Sequence, residues 1–478
     1  MPFPPQPGTY QPETAILALG DAFYDSVQPA DFPQTILRYR NQLWAESVGL
    51  GDLSDAEWVR HFGRFEPLPD NLPQPLALRY HGHQFRVYNP DIGDGRGFLF
   101  AQLRDGHGRL LDLGTKGSGQ TPYSRFGDGR LTLKGGVREV LATEMLAALG
   151  VETSKSFSLI ETGEALDRND EPSPTRSAVL VRLQHGHVRI GTFQRLAYLQ
   201  QAEEMRRLTD YSLDRLYGES GGEDAPARLL RRVTEETARL AASYIAAGFV
   251  HGVLNSDNIA ITAQSFDYGP WRFTPYWDGL FTAAYFDHGG LYAFGRQPEA
   301  IHWDVVQLAA SLRLIAEAEV LTPALETFPE LFQRALANAI LWRLGVQPLD
   351  EAKDAELLIE IEEALAEKSV TIDRFFFDWR GGRRRGRSPA DQAYAAEPFK
   401  RVAARLKAYR PVANATAHAY WQDEDPCSMH IEEVESIWSA IDEHDDWSIL
   451  DRKVARIRRM GEALGCNAQQ FGSVTASA

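Results

Sequence analysis

The sequence predicts an α+β protein in which a β-rich lobe precedes an α-rich lobe. Two β-prone runs, 98-FLFAQLR-104 and 109-RLLDLGTK-116, flank the tetrapeptide DGHG, which is a strong hairpin signal. From about residue 191 the apolar residues instead recur at helical spacing, most clearly over 225–248. We therefore expect two lobes of different secondary structure, with an N-terminal extension before them and a helical C-terminal region after them.

The composition is that of a soluble globular protein with a large core. The chain has 478 residues, of which 44% are hydrophobic and 24% are charged, so two or three lobes are expected rather than one compact unit. The formal net charge is −16, whereas a protein that binds nucleic acid or an anionic membrane needs a cationic face. We therefore expect neither nucleic acid nor a membrane as a partner.

The N-terminal segment and the cysteines favour a cytoplasmic protein. Residues 1–14 lack the basic and apolar segments of a signal peptide, and no window approaches 18 uncharged apolar residues. The two cysteines, Cys427 and Cys466, are too few for a disulfide framework or a four-cysteine zinc site. A reducing compartment fits this composition best.

The elements follow one another in a definite order. In the N-terminal extension, residues 34–50 carry short helical signals and the proline-rich segment 67–75 indicates an extended connector. An amphipathic helix is predicted over 135–150 and a strand over 178–184. Further helices are predicted over 191–217, 225–248, 304–318 and 354–368. The expected segments are the extension (1–80), the β-rich N-lobe (81–190), the α-rich C-lobe (191–330) and the helical C-terminal region (331–478).

The most informative stretch is 251-HGVLNSDNIAITAQSFDYG-269. It matches the protein-kinase signature H-R-D-x-x-x-x-N, followed by D-F-G, at His251, at Asn258 and at the triplet 267–269. The catalytic-base aspartate of a kinase would fall at position 253, where this chain has Val253. The stretch therefore keeps the metal ligands of a phosphate-transfer site and lacks its base.

The order of the other motifs also matches a kinase. The glycine turn 93-GDGRG-97 precedes the hairpin, Lys116 ends the second strand of the hairpin, and Glu139 lies early in the next predicted helix. In a kinase such a lysine and glutamate form an ion pair that holds the lysine against phosphate oxygens. We therefore predict a protein-kinase-like two-lobed fold with a nucleotide cleft between the lobes.

Polar side chains near these motifs are candidate ligands for a metal ion and for phosphates. Asn258 and Asp267 supply one neutral and one anionic oxygen ligand, as Mg²⁺ prefers. Asp257 could replace the missing base or orient a metal-bound water. Arg182 and Arg189 could bind phosphates as bidentate donors.

Each of these features also has a purely structural interpretation. A glycine turn is most often only a turn, and an isolated lysine, glutamate or arginine is most often a surface charge. The H-G-H runs at 81–83 and 185–187 could bind zinc or hydrogen-bond within turns. The arginine-rich segment 379–389 could contact nucleic acid, although a solvated loop fits the acidic chain better. The kinase-like interpretation is favoured because the features occur together and in order.

Several stretches together resemble the selenoprotein O (YdiU) family of kinase-like protein adenylyltransferases. They are 80-YHGHQFRVYNPDIGDGRGF-98, 112-DLGTKGSGQTPYSRFGDGR-130, 135-GGVREVLATEML-146, 187-HVRIGTFQ-194 and 251-HGVLNSDNIAITAQSFDYGP-270, with a looser match in 287-DHGGLYAFGRQP-298. The resemblance spans roughly residues 20–300, and the motifs are highly specific in this order.

The resemblance implies that ATP binds in an orientation flipped relative to kinases, with its β- and γ-phosphates deep in the pocket. AMP would then pass to a Ser, Thr or Tyr hydroxyl of a protein substrate, with Mg²⁺ or Mn²⁺ bound and pyrophosphate released. By motif, the implied catalytic residues are Asp257, Lys116 and Glu139, and the implied metal ligands are Asn258 and Asp267. The implied nucleotide contacts are Gly93, Gly95, Arg96, Lys116, Asp128, Gly129, Arg182, Arg189 and Asp267. A kinase base at position 253 would not serve attack at the α-phosphate, which accounts for Val253.

The chain departs from the family in two respects. Many members carry a cysteine after the D-Y-G triplet that can pair with one near the C-terminus, whereas 279-GLFTAAYF-286 has none. The region from about residue 330 matches the family only weakly. Two other functions stay open from the residues alone: a conventional γ-phosphate kinase that uses Asp257 as its base, and a nucleotide-binding pseudokinase scaffold without turnover. The retained metal ligands and Lys–Glu pair argue against the scaffold.

Overall fold

The computed structural model describes residues 5–169 and 171–465 and is α+β, as the sequence predicts. In these ranges fifteen α-helices accompany a nine-stranded antiparallel sheet and two short two-stranded sheets. No helix in the described ranges combines the length and apolar character needed to cross a membrane.

The elements are numbered in chain order. The strands are β1 (Pro12–Glu13), β2 (Tyr24–Ser26), β3 (Ile36–Arg40), β4 (Leu76–Leu78), β5 (Gly82–Gln84), β6 (Val87–Asn89), β7 (Leu99–Arg104), β8 (Leu110–Lys116), β9 (Leu131–Thr132), β10 (Lys155–Leu166), β11 (Thr175–Gln184), β12 (Phe249–Val250) and β13 (Arg272–Phe273). The helices are α1 (Gln42–Ser47), α2 (Asp55–Phe62), α3 (Leu133–Ala148), α4 (Ile190–Tyr198), α5 (Ala202–Tyr211), α6 (Ala225–Ala247), α7 (Gln297–Leu312), α8 (Ala318–Glu326), α9 (Phe328–Leu344), α10 (Glu351–Ala366), α11 (Ile372–Asp378), α12 (Asp391–Tyr394), α13 (Glu397–Leu406), α14 (Ile431–His444) and α15 (Ser448–Leu464).

The predicted hairpin forms the centre of the main sheet. The strand order is β2-β4-β7-β8-β11-β10-β3, with β1 beside β7 and β9 beside β11. Strands β7 and β8 pair antiparallel, with Gln102 opposite Asp112. The turn between them is closed by a 2.8 Å hydrogen bond from the Gly108 N–H to the Asp105 carbonyl. Gly108 has φ +77°, which a glycine adopts without strain.

The N-terminal extension contributes strands to this sheet, and part of its prediction was wrong. Within 34–50, where the sequence indicates helix, the prediction is confirmed for α1. It is wrong for Ile36–Arg40, which forms strand β3. This strand pairs antiparallel with the long strand β10, and Leu37 and Tyr39 pack against buried clusters. Pairing with a distant strand therefore outweighs the local helical pattern. Because β1 to β4 all lie before residue 80, the main sheet extends across the expected boundary at that residue.

Helix α3 positions one of the candidate site residues. The Thr132 hydroxyl accepts a 3.1 Å hydrogen bond from the Gly135 N–H and caps its N-terminus. Val137, Leu141 and Met145 are buried, as the periodicity predicts. The helix packs on β10 and β11. Glu139 therefore lies on the covered side of the helix, where a charged residue needs a partner.

The helical part follows the predicted order with local differences. The region predicted as one helix over 191–217 divides into α4, α5 and a π-helical turn, Ser212–Tyr217. The break falls at Gln200, whose φ is +56°. The predicted helices 225–248, 304–318 and 354–368 correspond to α6, α7 and α10. The C-terminal region is helical, and its last helix, α15, returns to pack against α3.

Candidate active site

Lys116 is the centre of a buried cluster of charges. It ends strand β8 with only 5% of its surface exposed, and its ammonium forms an ion pair with Glu139 of α3. It also lies 2.7 Å from Asp267 Oδ1. The structure therefore brings together Lys116 and Glu139, as predicted, and adds Asp267 to the pair.

Asp267 is held as a carboxylate by the positive charges around it. Burial raises its pKa, but Lys116, Arg182 and Arg96 together hold the pKa well below its usual range. Its backbone is in the left-handed region, with φ +62°, which is uncommon for a residue other than glycine. Such a conformation in a charged cluster is typical of functional sites.

The loop before Asp267 is fixed by hydrogen bonds. His251 Nε2 lies 3.0 Å from the Phe266 carbonyl, which joins the start of the loop to the residue before Asp267. The Asn258 side-chain amide donates a 2.9 Å hydrogen bond to the Val253 carbonyl. This bond uses the Nδ2 group of Asn258 and leaves its Oδ1 as the atom that a cation would meet. An amide oxygen and an ionised carboxylate suit Mg²⁺ or Mn²⁺, provided that phosphate oxygens and water complete the coordination.

Asp257 lies in the 3₁₀ turn Ser256–Asn258 and is buried. Its Oδ1 has no hydrogen-bond partner among the described residues. Burial raises its pKa to about 7, and the charge of Asp267 adds to this effect, while Arg189 opposes it. A carboxyl group with this pKa can accept a proton near neutral pH.

Two buried arginines lie beside these carboxylates. Arg182 Nη1 is 3.6 Å from Asp267 Oδ1, which is ion-pair range but too long for a hydrogen bond. Arg189 donates from Nη1 to the Asp257 carbonyl at 3.2 Å, and its Nη2 lies 3.4 Å from Asp94 Oδ1. Among the described atoms, Nε and Nη1 of Arg182 and Nε of Arg189 are buried without a hydrogen-bond partner. Buried guanidinium donors of this kind are available to an anion.

The glycine turn 93–97 is explained in part by packing. A Cβ on Gly93 would lie 2.5 Å from the Tyr123 ring, and one on Gly97 would lie 2.0 Å from the Thr115 carbonyl oxygen. A Cβ on Gly95 would lie 2.9 Å from the Tyr123 carbonyl oxygen. These glycines therefore allow the turn to fit against neighbouring backbone and a ring. The Arg96 side chain is exposed, and its charge contributes to the low pKa of Asp267.

Asp128 and Gly129 are not part of the contact network around Lys116. Asp128 forms a 2.8 Å salt bridge with Arg168 and accepts a 2.9 Å hydrogen bond from the Arg130 N–H. Gly129 has φ +70° and packs against Gly119. In the described ranges no hydrogen bond or ion pair joins either residue to Lys116.

The H-G-H histidines are engaged in ordinary hydrogen bonds. His81 bonds to the Tyr88 hydroxyl, His83 to the Gln194 side chain, His185 to the Leu216 carbonyl and His187 to Asp112. The described residues contain no group of three or more His, Cys, Asp or Glu side chains placed to hold a metal ion.

The composition of the arginine-rich segment 379–389 predicts a solvated loop, but Arg380 and Arg385 hydrogen-bond to backbone carbonyl groups. Arg380 is buried and donates to the carbonyls of Trp342 and Arg343. Arg385 donates to the Phe377 carbonyl. These arginines satisfy carbonyl groups of the surrounding helices, which composition alone does not reveal.

Tyr80, Gly82 and Asp94 were not predicted as site residues. The Arg189 guanidinium lies 4.1 Å from the centre of the Tyr80 ring and also pairs with Asp94. A Cβ on Gly82 would lie 2.7 Å from Asp257 Oδ1. All three residues belong to the stretch 80–98, so the family resemblance of that stretch is the sequence signal that points to them.

Comparison with known proteins gives a consistent result. The family model described as "Protein adenylyltransferase SelO" matches residues 8–458. A protein of Synechocystis sp. named protein nucleotidyltransferase YdiU is 40% identical over 475 residues, covering 94% of this chain and 98% of the relative. Relatives of the same name are 46% identical over 372 residues in Synechococcus elongatus (76% of this chain, 74% of the relative) and 35% identical over 359 residues in Vibrio cholerae (75% and 72%). The family match extends well past residue 330, where the motifs alone gave little signal.

Proposed function

This chain belongs to the SelO family of protein nucleotidyltransferases, and we propose that it transfers AMP from ATP to Ser, Thr or Tyr hydroxyls of other proteins and releases pyrophosphate. The family name makes ATP the expected nucleotide substrate. Within the proposal, the cleft is that of a protein-kinase-like fold, with residues 81–190 as the N-lobe and 191–330 as the C-lobe.

The observation that carries the proposal is the pair Arg182 and Arg189. Both side chains are buried, and both keep N–H donors without partners among the described residues. Buried N–H donors without hydrogen-bond partners are costly, so these donors favour a bound anion. A triphosphate bound with its β- and γ-phosphates on these arginines would present its α-phosphate to the acceptor.

Asp257 is proposed to remove the proton from the attacking hydroxyl. Its pKa of about 7 allows it to accept that proton near neutral pH. Attack on the α-phosphorus forms the new P–O bond and breaks the bond to the β-phosphate oxygen, so that pyrophosphate carries away the electron pair. Lys116, held between Glu139 and Asp267, would stabilise phosphate oxygens.

The donor set of Asn258 and Asp267 is proposed to hold Mg²⁺ or Mn²⁺ together with phosphate oxygens. Such a cation, when bound, neutralises charge on the phosphates. In the protein, Lys116 keeps the Asp267 carboxylate oriented, and the hydrogen bond to Val253 keeps the Asn258 amide oriented.

The test is to supply ATP labelled at the α- or the γ-phosphate, together with a protein acceptor. We expect covalent α-label and no γ-label, and Asp257→Asn should reduce α-label at least 100-fold while nucleotide binding persists. General-base catalysis typically contributes 10²–10⁴-fold, which sets this scale. Robust γ-label would instead identify a conventional kinase, and absence of both labels with several acceptors would reject transfer to proteins.

A further inference from the structure

We propose that the hairpin of β5 and β6, residues 82–89, is a clamp that holds Asp257 in position. Asn255 and Ser256 are the positioning residues through which the clamp acts. The inference rests on the proposed function only in taking Asp257 as the base.

The first connection runs through Ser256. The Ser256 hydroxyl accepts a 2.7 Å hydrogen bond from the His83 N–H of the clamp and donates a 2.6 Å bond to Gln194 Oε1. Gln194 Nε2 in turn lies 2.6 Å from His83 Nδ1. Ser256 is fully buried. The residue directly before Asp257 is thus locked into a closed ring of hydrogen bonds with the clamp and with α4.

The second connection runs through Asn255. Its Oδ1 accepts a 3.0 Å hydrogen bond from the Phe85 N–H, at the tip of the clamp, and a 2.7 Å bond from the Tyr292 hydroxyl. The Phe85 and Tyr292 rings also pack together, with centroids 5.0 Å apart. Asn255 therefore joins the base-carrying turn to two elements that are distant in the chain.

The third connection is direct contact with the carboxyl group. A Cβ on Gly82 would lie 2.7 Å from Asp257 Oδ1 and 2.9 Å from Asp257 Cβ, so only a glycine leaves room for this side chain in its present place. The tip of the clamp is also held by Arg86, which pairs with Glu299 at 3.0 Å and lies over the Trp303 ring. The clamp is thus held at its tip, with Asp257 against its first strand.

The first test removes the Tyr292 hydroxyl. Tyr292→Phe deletes the hydrogen bond to Asn255 and keeps the ring, and Tyr285→Phe is the matched control because Tyr285 is 79% exposed. We expect kcat for α-label transfer to fall about tenfold in Tyr292→Phe, with KM for ATP within twofold, since misplacing a catalytic group impairs the chemical step more than binding. A kcat equal to that of the control, or an equal loss of ATP binding, would overturn the proposal.

A second test adds a methyl group next to the Asp257 carboxyl group. Gly82→Ala should lower kcat at least tenfold with ATP affinity and melting temperature near those of wild type, whereas Gly279→Ala should be neutral because its Cβ would have no neighbour within 4 Å. Unchanged kcat in Gly82→Ala would reject the contact as a positioning device. If wild type transfers α-label in these assays, the proposed function stands whatever the clamp variants show.

Discussion

Lys116 is a single ammonium group shared by two carboxylates, the buried Glu139 and the partly exposed Asp267. We propose different roles for the two carboxylates. Glu139 lies on the side of α3 that faces the sheet and holds the lysine, while Asp267 faces the proposed metal and phosphates. Loss of the lysine would leave both carboxylates without their shared cation, which is costly in a buried site.

We therefore predict that Lys116→Ala loses at least 100-fold in α-label transfer, and that Glu139→Gln loses about tenfold. The glutamine keeps an oxygen that can accept a hydrogen bond from Lys116, so the ammonium stays closer to its place. Transfer rates at saturating ATP measure this difference. Equal and negligible effects in the two variants would show that the ion pair has no role in transfer.

Asp304 of α7 is a buried carboxyl group that the proposed mechanism does not use. It is 1% exposed, and neither of its oxygens has a hydrogen-bond partner among the described residues. Burial raises its pKa well above its usual range, and the charge of Asp257 adds to the rise. The folded state therefore binds this proton more tightly than the unfolded state does. The resulting stability is present below the unfolded pKa of about 3.9 and is lost as pH rises towards the folded pKa.

Asp304→Asn should remove this loss, because an amide has no charge to bury. We predict that the free energy of unfolding at pH 8 is about 1–3 kcal/mol higher than that of wild type. The melting temperature should rise accordingly at pH 8, with a smaller difference at pH 5. Thermal unfolding at the two pH values tests this, with the exposed Asp442→Asn as the control. A variant less stable than wild type at pH 8 would mean that the carboxylate has a stabilising partner.

At the scale of elements, the turn 93–97 is coupled to strand β8, which carries Lys116. A Cβ on Gly97 would overlap the carbonyl oxygen of Thr115 at 2.0 Å, and the backbone there cannot easily yield. Gly97→Ala should therefore lower the melting temperature markedly and also reduce transfer, because Thr115 immediately precedes Lys116. Gly289→Ala, whose Cβ would have no neighbour within 4 Å, serves as the neutral control. Wild-type stability of Gly97→Ala would contradict this account of the turn.

Turn residues and residue spacing within a segment predict the elements that depend mainly on that segment. The hairpin β7–β8 follows from its turn residues, and α3 follows from the spacing of Val137, Leu141 and Met145. The local pattern at strand β3 predicts a helix. The prediction fails because β3 is stabilised by pairing with β10, which lies about 120 residues later in the chain and was not predicted. A pairing of this range leaves no local signal at either strand.

The same distinction applies to the site. Motif order predicted the Lys116–Glu139 pair, whose partners have strong signatures. The clamp contacts were not predicted, because His83 and Phe85 bind Ser256 and Asn255 across about 170 residues of sequence. The roles assigned to Gly93, Gly95, Asp128 and Gly129 stay predictions, since their observed contacts are with the protein itself.

At the scale of the whole molecule, the C-terminal helices brace the sheet side of the protein. Arg458 of α15 forms a 2.6 Å salt bridge with Glu144 of α3, the helix that carries Glu139. Asp445, at the end of α14, pairs with Arg176 at 2.8 Å. The region after residue 330 therefore supports the element that holds the lysine, although sequence motifs gave it no role.

The two cysteines bear on whether transfer is under redox control. Cys427 is buried, and burial raises the pKa of its thiol to about 11, so little reactive thiolate is present at neutral pH. Cys466 lies outside the described residues. We expect transfer activity to be the same in oxidised and dithiothreitol-treated protein. A several-fold rise on reduction that disappears in the Cys427→Ser/Cys466→Ser double variant would show that a redox switch exists.

A crystal structure with a non-hydrolysable ATP analogue would show the orientation of the bound nucleotide. We predict that the γ-phosphate lies against Arg182 and Arg189 and that the α-phosphate is directed towards Asp257. A structure with the γ-phosphate nearest Asp257 and away from both arginines would contradict it.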